Sequence, residues 1–192
     1  LLPLSRFREN NWPIPHWIPD DLDRIPAWCT EESPSRSISY LYKTDDLVCQ
    51  HYIQIFQSCK NWYGAVSAFD EWLANSDRNG GNILKLSPNV YSIIDHGRVF
   101  NNLDFSALIN TNITSRNIMR NLVERGSKHD DHNKLYSAML MASGNHKPAL
   151  EKSTIEIKKW LAFFNSINEA TVLKFIEDRS SDSWMSQRLG VL

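Results

Sequence analysis

N-S-D-R-N-G-G-N, Asn75 to Asn82, is the densest polar cluster in this chain, and its flanks decide how the rest folds. Before it, Trp62, Ala65, Val66, Phe69, Trp72 and Leu73 recur at intervals of three and four, which predicts a helix from Asn61 to near Asn75 with one apolar stripe. After it come two short β-like runs, Asn82 to Leu86 and Val90 to Asp95. Ser87-Pro88-Asn89 joins them, and because Pro and Asn form turns a small hairpin is expected. The adjacent Gly80 and Gly81 let the backbone turn tightly between helix and hairpin. The second run passes into I-I-D-H-G, Ile93 to Gly97, which sets an Asp directly behind an apolar strand. Two acidic residues, Asp77 and Asp95, therefore stand at element ends, where functional groups are often placed.

Upstream of this unit, S-I-S-Y-L-Y-K, Ser37 to Lys43, alternates as a short strand does. Thr44 then offers an N-cap to a helix over about Asp45 to Cys59, whose apolar positions are Leu47, Val48, Tyr52, Ile55 and Phe56. Six prolines (Pro3, Pro13, Pro15, Pro19, Pro26, Pro34) fall before residue 35, interleaved with Trp12, Trp17 and Trp28, so residues 1–44 read as an irregular segment anchored by tryptophans. Downstream the pattern is helical: about Thr114 to Glu124, Asp131 to Ala142, Pro148 to Asn165 and Glu169 to Asp178, with Gly126 and Gly144 as stops. The expected fold class is α+β, mostly α. Residues 45–192 would form one helical bundle with a small β-hairpin carrying the polar loops, and no internal repeat is visible.

Composition narrows the functional classes. With 21 Lys and Arg against 22 Asp and Glu in 192 residues, the chain is nearly neutral, which excludes a strongly basic nucleic-acid binder. A hydrophobic content of 42 %, with seven Trp, is enough for a sizeable core. No run approaches the roughly 18 apolar residues of a membrane span. Leu1 to Trp12 carries two Arg where a secretory segment would be apolar, so a cytoplasmic protein is expected. Cys29, Cys49 and Cys59 are odd in number and lack metal-ligand spacing, which favours reduced thiols. The chain opens on Leu1 and not Met, and a truncated amino end is the expectation that follows.

The chemistry that suits Asp77, Asn82 and Asp95 is phosphoryl transfer. One carboxylate orients an attacking hydroxyl, while an Asn and a second Asp hold the Mg²⁺ that neutralises the phosphates. Hard oxygen donors suit Mg²⁺. D-x-x-x-x-N followed across a hairpin by I-D-x-G puts these side chains on neighbouring segments, so distant parts of the chain need not meet.

D-R-N-G-G-N with the downstream I-D-H-G resembles the catalytic and metal-binding loops of atypical kinases, both the phosphoinositide-kinase type and the HipA-like group. The preceding F-D-E-W-L-A-N and the closing D-H-G tilt the resemblance toward HipA-like kinases, over Phe69 to Phe100. The resemblance implies a kinase-like carboxy-terminal lobe that uses ATP and Mg²⁺ and transfers the γ-phosphate to a Ser or Thr hydroxyl of a protein substrate. By it Asp77 is the catalytic Asp, Asn82 and Asp95 are metal ligands, and Arg78 holds the loop by pairing with a carboxylate. Asn79, Gly80, Gly81, His96 and Gly97 support the two loops. Asn79 stands where many relatives have His, and His96 replaces the usual Phe. Such kinases also need a small lobe with a glycine-rich loop and a nucleotide-binding Lys. Here no Gly precedes Gly64, and only Lys43 and Lys60 precede the motif. Lys43 reads better as a solvated lysine than as the nucleotide lysine. The implied partner is then a separate small-lobe or antitoxin-like protein, as in the toxin–antitoxin systems of the group.

Two other readings stay open. One is a noncatalytic, kinase-like interaction module; the other treats D-R-N-G-G-N as only a turn. H-D-D-H, His129 to His132, is more economically the acidic first turn of a helix than a metal site. Trp160, Phe163 and Phe164 form an apolar stripe that suits core packing, and Lys152, Lys158 and Lys159 alternate with Glu151 and Glu156 as on a solvated face.

Overall fold

The computed structural model describes residues 2–11, 24–25, 35–42, 44–96, 98–101, 115–162 and 169–191. At the amino end β1 (Leu2–Pro3) pairs antiparallel with β2 (Arg24–Ile25), and α1 (Leu4–Glu9) lies between them in sequence. Trp12, Trp17, Trp28, Cys29 and Lys43 lie outside the described residues.

The expected strand over Ser37 to Lys43 is not formed. Only Arg36–Ser37 is extended (β3), and the chain then enters a short helix, α2 (Ile38–Leu41). The reason is a local cap: the Ser37 hydroxyl accepts from the Tyr40 amide at 3.2 Å, closing the first turn before the alternation can extend a strand. Thr44 caps α3 (Asp45–Ser58) in the same way, its hydroxyl accepting from the Leu47 amide at 3.4 Å, with Asp45 and Asp46 in the first turn. After the single residue Cys59 comes α4 (Lys60–Trp72), which is buried on most of its circumference and forms the centre of the bundle. Its close approach to α6 (His129–Ser143) depends on Gly64, since a Cβ there would sit 2.4 Å from the Ala138 Cβ.

The hairpin is β4 (Ile83–Ser87) and β5 (Val90–Ile93), with Asn89 in the left-handed conformation at its turn. β3 adds to its other edge, Arg36 opposite Lys85 and Ser37 opposite Leu84, so the sheet has three antiparallel strands in the order β3-β4-β5. The carboxy-terminal half contains α5 (Ile118–Gly126), α6, α7 (His146–Leu161), α8 (Glu169–Asp178) and α9 (Asp182–Leu189). Thr114 lies outside the described residues, and α5 starts at Ile118 because the Asn117 side chain takes the cap and accepts from the Arg120 amide at 3.0 Å. α9 was not expected. Its signals are ordinary ones, the Ser181 hydroxyl accepting from the Trp184 amide at 3.2 Å and Gly190 at φ 68° ending the helix.

Two apolar clusters result. The larger joins Tyr52, Phe56, Tyr63, Ile83 and Met119 with Leu135, Met139 and Met185; the smaller joins Trp72, Ala74, Phe100 and Leu150 with Phe175 and Ile176. Glu71, almost fully buried, faces Arg120 at 3.0 Å and accepts from Arg188 at 2.9 Å, tying α4 to α5 and α9. The contact with Arg120 is one of charge and proximity and not an aligned hydrogen bond. No described helix is long and apolar enough to cross a membrane.

Candidate functional site

The polar loop leaves the smaller core at Ala74 and enters the larger one at Ile83, so both its ends are anchored. At its start Ala74 takes a left-handed conformation (φ 51°), with its amide on the Glu71 carbonyl and the Asn75 amide on that of Asp70. This turn brings Asn75 back over the helix end, where its side-chain amide donates to Asp70 Oδ1 at 2.9 Å and its Oδ1 accepts from the Asp77 amide at 3.2 Å.

Arg78 points inward. Its side chain and that of Asp70 have no exposed area, and the guanidinium donates through Nε to Oδ2 at 3.1 Å and through Nη2 to Oδ1 at 2.9 Å. Nη1 donates to the Ile94 carbonyl at 2.9 Å, and the Arg78 carbonyl accepts from the Tyr52 hydroxyl at 2.8 Å. Burial pushes the Asp70 carboxyl above its ordinary range, and the Arg78 fork and the Asn75 amide pull it back. Every bond of the guanidinium shown here is charge-assisted, which makes this the most constrained point of the loop.

The Asp77 carboxylate is half-buried. Oδ1 accepts from Asn79 Nδ2 at 2.8 Å, and Oδ2 lies 3.4 Å from Arg98 Nε. Asn79 also accepts from the Gly81 amide at 2.8 Å, which shapes the 3₁₀ turn Gly80–Asn82. Gly80 meets α2 closely; a Cβ there would lie 2.6 Å from the Ser39 hydroxyl and 3.1 Å from Val48. Asn82 is buried, with Nδ2 donating to the Asp77 carbonyl at 2.6 Å and its own carbonyl accepting from the Ile94 amide at 3.0 Å. One residue on, Asp95 is exposed and left-handed at φ 53°. His96 stands edge-on to Phe69, ring centroids 5.7 Å apart, and its pKa is lowered by burial and then by Arg78. Gly97 lies outside the described residues.

The backbones at Asp77, Asn82 and Ile94–Asp95 are thus cross-linked by three hydrogen bonds: Asn82 to Asp77, Ile94 to Asn82 and Arg78 to Ile94. Their donors are two carboxylates and one amide, all oxygen, a set that suits Mg²⁺ held jointly with phosphate oxygens and water better than a closed all-protein cage. Among the described residues no three His, Cys, Asp or Glu side chains gather into a metal site, and at H-D-D-H the segment opens α6, with Asp131 pairing with Lys134.

Sequence reasoning did not single out Asp70, Tyr52 or Arg98. For Asp70 a signal was available: D-E between Phe69 and Trp72 interrupts a buried helix, and charges in such places are paired. In comparisons with known proteins, no family model, no curated protein and no solved structure matches this chain.

Proposed function

We propose that the chain is a kinase-like phosphoryl-transfer lobe of the HipA-like type, using ATP and Mg²⁺ and acting on a Ser or Thr hydroxyl of a protein substrate. The cross-linking of Asp77, Asn82 and Ile94, the residue before Asp95, into one loop cluster carries the proposal. In this role Asp77 orients the hydroxyl, and Asn82 and Asp95 contribute oxygen ligands to Mg²⁺. Arg78 contacts no substrate; buried against Asp70, it holds the catalytic loop to the metal loop. A complete active site also needs a nucleotide lysine and a phosphate-covering loop, which a small-lobe or antitoxin-like partner would supply.

A second function, a noncatalytic interaction module, draws support from Asp77. Its two carboxylate oxygens already face Asn79 and Arg98, contacts that suit a loop held by its own neighbours. One assay separates the two. Mg²⁺-ATP binding and phosphate transfer are measured on the chain alone and together with the product of the upstream neighbouring gene, with Asp95→Ala as control. Turnover abolished by Asp95→Ala supports the kinase; partner binding with no nucleotide binding in either format supports the module.

A further inference from the structure

Asp95 sits in a backbone conformation that non-glycine residues rarely hold, and such a conformation persists only where its surroundings over-determine it. The strand β5 ends at Ile93, so the sheet ladder does not reach Asp95. The residue before it, Ile94, has both backbone polar groups used: the amide donates to the Asn82 carbonyl and the carbonyl accepts from Arg78 Nη1. Arg78 makes that bond in a fixed orientation, because its Nε and Nη2 are committed to the two oxygens of Asp70. Asp70 in turn lies in the last turn of α4, the most buried helix of the bundle, and is locked by Asn75.

From this chain of contacts we propose that the buried Asp70–Arg78 pair is a positioning device for Asp95, transmitting the rigidity of α4 through the Ile94 carbonyl to the exposed carboxylate that would hold the divalent cation. Asp70 and Arg78 touch no cation themselves; they are positioning residues, and the cation-binding role of Asp95 rests on the phosphoryl-transfer reading above. A guanidinium is required here. Its planar fork serves both carboxylate oxygens and still presents a third N–H to Ile94, whereas the compact ammonium of a lysine has no such geometry. Outer partners that orient a metal ligand commonly govern affinity by roughly 10- to 100-fold when removed.

The test uses Mn²⁺ as the probe, read by electron paramagnetic resonance with and without ATP, together with backbone amide NMR of the same proteins. Arg78→Lys is the conservative variant. Because either single neutralisation leaves a buried charge unpaired and can prevent folding, the double variant Asp70→Asn/Arg78→Met removes both charges and the donor to Ile94 together. Tyr63→Phe, which loses a buried hydrogen bond to the Met119 carbonyl away from the loop, controls for general destabilisation. The expected result is a Mn²⁺ Kd raised by roughly 10-fold or more in the double variant, an intermediate rise in Arg78→Lys, and displaced Ile94 and Asp95 amide resonances in both. Tyr63→Phe should lower Tm while leaving the Kd and those resonances in place. A folded double variant with wild-type Kd and unmoved resonances overturns the positioning role. If the wild type itself binds no Mn²⁺ in either format, the cation site and the kinase reading fall, and the Asp95 resonances alone decide whether the pair sets the loop.

Discussion

Acid should weaken this fold through one histidine. His146 opens α7, is 6 % exposed, and lies flat on Trp72 with ring centroids 4.3 Å apart and planes 7° from parallel. Its Nδ1 has no hydrogen-bond partner, and burial lowers the pKa from 6.5 to about 4 against a smaller opposing pull from Asp182. The unfolded chain therefore binds a proton at this residue below pH 6.5, whereas the folded chain resists until about 4. Stability is unaffected above 6.5 and is lost progressively as pH falls through that window. A gap of about 2.5 pH units, at about 1.4 kcal/mol each, comes to about 3.5 kcal/mol in full, of which about 3 kcal/mol is lost by pH 4, where the folded histidine is itself half protonated. His146→Phe keeps a flat ring on Trp72 and removes the proton. Urea unfolding of both proteins at pH 7, 6, 5 and 4, followed by tryptophan fluorescence, isolates the effect as the difference between two curves, since Asp70 and every other titrating group is common to both. The wild type should lose about 3 kcal/mol relative to His146→Phe between pH 7 and 4. Parallel curves would refute the reasoning.

Gly64→Ala should destabilise by about 1–3 kcal/mol in chemical denaturation, because its Cβ would meet both the side chain and the backbone of Ala138 and force α4 and α6 apart. Asp95→Gly should raise stability by up to about 1 kcal/mol by relieving the left-handed backbone and, on the proposed function, abolish Mn²⁺ binding; a variant that is both less stable and still metal-binding would contradict the proposed role. Ser181→Ala removes the cap of α9 and should cost about 1 kcal/mol, read as a shift in urea midpoint at unchanged m-value. Arg98→Gln should change stability by less than about 1 kcal/mol, since the ion pair with Asp77 is half-exposed, and a larger loss would show that it braces the loop.

The expectations that matched were those carried by short-range signals. The Thr44 cap, the stripe before Asn75 and the Pro88-Asn89 turn each act within a few residues, and α3, α4 and the hairpin lie close to where those signals put them. The same kind of signal explains the misses. Ser37 alternates with Ile38 and Ser39 as in a strand, yet its hydroxyl acts as a cap, and Ser181 and Gly190 mark the two ends of α9 without any strong apolar stripe between them. Asp77, Asn82 and Asp95 are candidates that the motif spacing offers, and the structure sets Asp77, Asn82 and the residue before Asp95 on hydrogen-bonded segments. Tyr52 and Arg98 meet the loop only through the fold, whereas Asp70 carried a signal as a charge inside a buried helix eight residues before Arg78.

The sequence by itself therefore determined the elements and the polar groups at their ends, since caps, periodicity and turn residues draw their energy from neighbours along the chain. Only the tertiary structure decided which carboxylate Arg78 would meet, that Asp95 would be held left-handed at the surface, that Arg36–Ser37 would complete the sheet, and that His146 would be buried uncharged. Those outcomes depend on which surfaces desolvate one another. A buried charge accepts any complementary partner the packing brings within reach, and a one-dimensional pattern does not say which one that is.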